Sequence, residues 1–172
     1  MTTPDHDAAN ARSNKRRRWV RLGAKTVHDL ASITFGGALV ACIVLNQMVP
    51  RDTLAEFAAA RTLHAAIAQY LLVPSMAVVV LSGLLALAAT RAYMGAGWAW
   101  LKALLGLGVF EATLVVVGSK EKQAAVVAAY ADSAQLDTLL RSERNTLWLL
   151  VVLAAINVLL AVWRPRLGPK ER

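Results

Sequence analysis

The chain reads as an all-α, polytopic membrane protein: a four-transmembrane-helix bundle with both termini in the cytoplasm. Three observations lead there. Four apolar stretches, 27–49, 65–90, 99–118 and 146–163, make up about half of the 172 residues, and about 20 helical residues at roughly 1.5 Å each cross the roughly 30 Å of bilayer hydrocarbon. Hydrophobic residues form 57% of the chain against 17% charged, with a mean hydropathy of +0.48, more apolar surface than a soluble core of this length needs. The net charge of +8 is unevenly distributed.

That distribution sets the orientation. Residues 1–26 carry the KRRR run at 15–18 together with Arg12, Arg21 and Lys25, Arg91 lies in the 91–98 connection, and the tail 164–172 adds Arg164, Arg166, Lys170 and Arg172. On the other side Arg51, Arg61, Lys120, Lys122, Arg141 and Arg144 are nearly balanced by Asp52, Glu56, Glu121, Asp132, Asp137 and Glu143. Cytoplasmic loops hold the excess of Lys and Arg, so the 50–62 and 119–145 segments are expected in the periplasm of a bacterial inner membrane.

Taken in order, residues 1–26 read as a disordered basic cytoplasmic tail, because the Thr, Asp, Asn and Ala of 1–14 offer little to bury. The basic run has no helix-turn-helix, zinc ligands or interleaved aromatics around it, so it is read as a topological anchor, not a nucleic-acid site. Attraction to anionic lipid contributes about 1 kcal/mol per basic residue near the surface. The stretch 27–49 is too long for a signal-peptide core and meets no small-residue cleavage site before Pro50, so it is a retained span. Its small residues pair at four-residue spacing as Ser32/Gly36 and Gly37/Ala41, and the third span carries Gly106 and Gly108. Close approach of helices in lipid uses such positions, which predicts spans one and three for the bundle interior. Cys42 is the only cysteine, so no intrachain disulfide forms.

The second span, 65–90, contains Pro74, which removes a backbone hydrogen bond and predicts a bend near its middle. Segment 119–145 uses strong helix formers without Gly or Pro and reads as two helical pieces broken at Asp132 and Ser133. About 27 residues cannot bury a core of their own, so this segment is a helical periplasmic cap on the transmembrane domain 27–163. Trp19, Trp98, Trp100, Trp148 and Trp163 fall near span ends, where interfacial anchoring places tryptophan.

Ionisable groups inside the spans are functional candidates, because hydrocarbon disfavours charge. Glu111 lies about 10 Å from the outer end of the third span, too deep for a carboxylate to reach water easily. It requires protonation or a partner. Its face of the helix also carries Leu104, Leu107, Gly108, Val115 and Gly118, which predicts packing against another helix, with Gln69, Asn46 and Asn157 as hydrogen-bond partners. His64, at the outer end of the second span, is expected to join Asn46, Gln47, Gln69 and Glu111 in a polar cluster of the outer leaflet. Asn157 suits an interhelical hydrogen bond. His28 and Lys102 lie at the cytoplasmic surface, where snorkelling is the alternative to a site.

A heme needs axial ligands on one iron, and His28 and His64 fall at opposite ends of the spans, about 30 Å apart. His6 lies in the tail, so a heme here uses one histidine with a different second ligand. No metal site is expected, with Cys42 alone and Met48, Met76 and Met94 at different depths. Nucleotide loops, nucleophile elbows and HExxH are missing from the sequence.

His28 followed by Phe35, Gly36 and Gly37, then Pro74-Ser75-Met76 with Gly83, then Trp98 four residues before Lys102, resembles the HemJ/CopD-type superfamily of four-helix bacterial integral membrane proteins. The resemblance covers three spans, roughly residues 25–110. It implies His28 and Lys102 as residues that hold heme or porphyrin, heme b as cofactor, and an oxidoreductase of the HemJ-like protoporphyrinogen oxidase type. Val44 and Gln69 stand where that group carries arginines, and porphyrin propionates need cations, which favours a branch other than the oxidases. The functional expectation is a non-catalytic membrane component of a complex or of metal or lipid handling. The alternatives are a heme-binding redox protein and small-solute or proton transport, the last resting on Glu111. The expected partners are the lipid bilayer, a second copy of the chain or other membrane subunits, and no nucleic acid.

Overall fold

The computed structural model describes residues 4–89, 97–114 and 120–163, and every element among them is helical. Helix α1 runs Pro4–Gln47, α2 runs Leu54–Ile67, a π-helical segment follows at Ala68–Leu72, and α3 spans Val73–Ala89. Helix α4 is Gly97–Ala112, α5 is Lys120–Ala128 with a 3-10 turn at Ala129–Ala131, and α6 is Ser133–Trp163. The connection around Arg91, the residues Val115 and Gly118, and the basic tail 164–172 lie outside the described residues.

Among the described residues, three helical stretches are long and apolar enough to cross a membrane: Arg18–Gln47, Leu54–Ala89 and Ser133–Trp163. The fourth expected span is described as the 16-residue α4 and two further residues of π-type winding, and its remaining residues fall outside the described set. Two boundaries differ from expectation. The segment expected to be disordered is helical from Pro4, so α1 has 44 residues. Once the span has formed its first turn, each added residue needs no new nucleus, and the Ala, Lys and Arg content supports extension. The helix that carries the second apolar stretch begins before residue 65, at Leu54, where Thr53 is the N-cap and pairs with Glu56. The Thr53 hydroxyl accepts from the Glu56 amide at 3.2 Å and donates to its carboxylate at 3.0 Å.

The π segment lies immediately before Pro74. Proline has no N–H to give to the carbonyl four residues back and its ring crowds that carbonyl. A wider turn accommodates both effects, and α2, the π segment and α3 continue as one rod.

The bundle core takes Phe35, Ala38, Leu39, Cys42 and Ile43 from α1, Ala68 and Leu72 from the π segment, Met76 from α3, Val109 from α4, and Leu147 and Leu150 from α6. The packing stripe of α1 is therefore this large-residue face and not the small-residue one. Ser32 and Gly37 are exposed, and a methyl group added at Gly36 or Gly37 would meet nothing within 4 Å. In the third span the two glycines divide. A methyl at Gly106 would touch Val80 at 3.9 Å and the Asn157 amide at 4.0 Å, whereas Gly108 faces open space.

A second, smaller core forms the cap, from Phe57 of α2, Val126 of α5, Ala129 of the 3-10 turn, and Leu136 and Leu140 of α6. The chain breaks between α5 and α6 at Asp132, where the expected interruption falls. Its backbone is extended, and its carboxylate caps α6 by accepting from the amides of Ala134 and Gln135 at 3.0 and 3.1 Å. Tyr130 packs its ring 5.1 Å from Phe57 and donates its hydroxyl to the Arg51 carbonyl. Arg51 in turn pairs with Asp137 at 2.8 Å on the surface.

Candidate functional site

Where the cap meets the bundle, four helices bring polar side chains into one buried cluster. Arg61 of α2 is 2% exposed and faces Glu143 of α6 in a two-pronged ion pair. One guanidinium nitrogen donates to Oε2 at 2.8 Å and the other to Oε1 at 2.8 Å. The planar fork of an arginine matches both carboxylate oxygens at once, which makes this the strongest geometry open to the pair.

The neighbours complete the carboxylate's shell. Asn46, at the end of α1, donates its amide to Oε2 at 2.6 Å and also reaches the Leu140 carbonyl at 3.2 Å. Gln123 of α5 donates to Oε1 at 3.2 Å while its own oxygen accepts from Arg61. Each oxygen of Glu143 thus accepts two hydrogen bonds, the full capacity of a carboxylate.

His64, one turn beyond Arg61, completes the cluster. It is 1% exposed, its Nδ1 lies 3.8 Å from Glu143 Oε1, and neither ring nitrogen makes a hydrogen bond. Arg61 Nε and Asn46 Oδ1 are likewise without a partner. The Cys42 thiol, one turn before Asn46 on α1, lies near enough to feel the charges of both Glu143 and Arg61.

Of the five residues expected in an outer polar cluster, the structure brings two into this one. His64 and Asn46 are in it. Gln47, Gln69 and Glu111 are exposed and belong to no such cluster. Glu111 shares its outward face with Leu104, Leu107 and Gly108, all exposed, so the face predicted to pack against another helix points away from the bundle. The inward face of α4 is set by Ala99, Val109 and Thr113. Asn157 is half-buried beside Gly106, a position between α4 and α6 that suits it.

Arg61, Gln123 and Glu143, which the sequence reading left among surface charges or cap residues, form the centre of the cluster. A signal for them exists. Glu143 interrupts the stripe Leu136, Leu140, Leu147 and Leu150 at the phase of a core residue, and Arg61 lies between Phe57, His64 and Ala68 in the same way.

At the other end of the bundle His28 and Lys102 are both half-buried, and the charge of Lys102 acts on the His28 ring. His28 Nδ1 lies 2.7 Å from the Ser82 hydroxyl, and its Cε1 would meet a methyl at Gly83 at 3.9 Å. The Ser82 oxygen also lies 2.6 and 3.1 Å from the carbonyls of Val78 and Val79. A Ser82 hydroxyl turned to those carbonyls accepts from Nδ1–H and leaves Nε2 with the lone pair, whereas one turned to the ring donates to Nδ1. His28 and His64 occupy opposite ends of the fold and form no common site.

The chain matches no family model, no curated protein and no solved structure.

Proposed function

We propose that this is a small integral protein of the bacterial inner membrane that acts as a non-catalytic component of a membrane complex or of metal or lipid handling, with both termini cytoplasmic. The observation that carries the reading is the saturated Glu143: its four hydrogen bonds and its counter-ion all come from the chain's own helices. This polar site holds α1, α2, α5 and α6 together and leaves no open coordination on the carboxylate for a substrate. Exposed Lys15, Arg18, Arg21 and Lys25, all before the apolar stretch 27–49 on the same helix, suit contact with anionic headgroups. Reaction of an impermeant thiol reagent with cysteines introduced at the exposed positions Ala55 and Ala125, from the periplasmic side of intact cells, is the expected topological result. Reaction from the cytoplasmic side alone reverses the orientation.

A heme-binding or porphyrin oxidoreductase reading is the second, favoured by His28. A ligand histidine commonly has its other ring nitrogen fixed by an oxygen acceptor, as Ser82 fixes Nδ1 when its hydroxyl is turned to the helix carbonyls, and Lys102 supplies a cation in the same leaflet. His28 would be the iron's ligand and Lys102 a propionate partner, in keeping with the likeness to the HemJ/CopD-type superfamily. The absorption spectrum of the detergent-purified protein decides between the two. The first reading expects no Soret band. The second expects one that His28→Ala abolishes and His64→Ala leaves largely intact.

A further inference from the structure

We propose that His64 is a proton-operated latch of the cap: a proton taken up on its ring releases the Arg61–Glu143 clasp and frees α5 and the first turns of α6 from the bundle. The inference goes beyond the function proposed above and does not depend on which side the cap faces.

The latch follows from what surrounds the ring. Glu143 already accepts four hydrogen bonds, so it has no lone pair left for His64, and both ring nitrogens are buried without partners. A neutral imidazole tolerates that position. An imidazolium would be a second cation beside Arg61, in a site whose single anion is fully engaged. The charges that act on the ring are Glu143 from α6 and Arg61 from its own helix, and the Cys42 thiol of α1 shares those two neighbours. Gln123 of α5 and Asn46 of α1 are amides and do not titrate.

A charged His64 can be accommodated in two ways. Glu143 can turn from Arg61 to the histidine, or the cluster can open and admit water. Both break contacts that join the cap to the bundle. The proton comes from the water outside the cap, and no bond other than N–H forms. Once His64 is exposed by opening, it titrates near the ordinary histidine value of about 6.5. Below that pH the opened form carries one proton more than the closed form, so acid favours opening by up to about tenfold per pH unit, and above it the latch stays shut.

Hydrogen exchange on the full-length protein in nanodiscs between pH 8 and 5, corrected for intrinsic exchange, reads the opening directly. Protection of residues 120–131 is expected to fall by up to about tenfold per pH unit below about pH 6.5, the slope of one proton, while residues 35–43 hold theirs. His64→Gln, which fills the site with a group that cannot charge, should remove the pH dependence. His28→Gln should retain it. A wild-type cap whose protection does not change with pH overturns the latch, as does an equal fall in His64→Gln. Should His64→Gln not fold, spectra of wild-type protein with 15N-labelled histidine give the answer. A His64 ring that stays neutral until protection drops supports the latch, and a ring that charges while protection is intact overturns it.

Discussion

Arg61→Leu is expected to destabilise the folded chain by about 3–5 kcal/mol, the usual consequence of leaving a buried carboxylate without its cation. Glu143 is only 10% exposed, so water cannot replace the two hydrogen bonds lost. Asn46 and Gln123 would still donate, but two neutral amides do not balance a full charge. Glu143→Leu should be comparably damaging, since it strands a 2% exposed guanidinium. The double replacement is the informative variant. With both charges gone no ion is buried unpaired, and two leucines of similar volume should recover much of the loss, as apolar replacement of buried ion pairs often does. Unfolding in mixed detergent measures all three. A double variant no better than the worse single one would show that the pair contributes through its contacts to Asn46 and Gln123, and that charge balance is secondary.

Phe57→Ala should cost about 3–5 kcal/mol, the range for a buried aromatic truncated to a methyl. Phe57 is fully buried, at the centre of the cap core, against Val126, Ala129, Leu136 and Leu140, and stacks on Tyr130. The loss should be local, because the cap core and the bundle core are separate clusters. Limited proteolysis should therefore cut the 120–143 region of the variant quickly and leave the spans intact. Equal resistance of the variant and the wild type would mean that the cap is held by the polar cluster alone.

These two cores explain which parts of the fold were legible. The apolar stretches 27–49, 65–90 and 146–163 correspond to helices because length and hydropathy are properties of a segment by itself, and the bilayer requires every backbone group in it to bond within the segment. The interruption at Asp132 was likewise local, carried by one side chain's capping group, while at Pro74, where a bend was expected, a π segment precedes the proline within one continuous helix. The helical state of 4–26 was not legible, since composition alone describes those residues as solvated and a neighbouring span is needed to seed the helix.

The site shows the division most clearly. Sequence alone determined the solvent of this protein, the position of its helices and the presence of polar residues near the cap, all of which depend on short-range chemistry. Only the tertiary structure decided that Arg61 and Glu143, 82 positions apart, face each other, that Asn46 and Gln123 complete the carboxylate's shell, and that Glu111 points outward. Rotation of each helix about its own axis settles these facts. That angle is set by which large side chains fill the shared core, so Phe35, Leu39, Leu147 and Leu150 determine where the charged residues point.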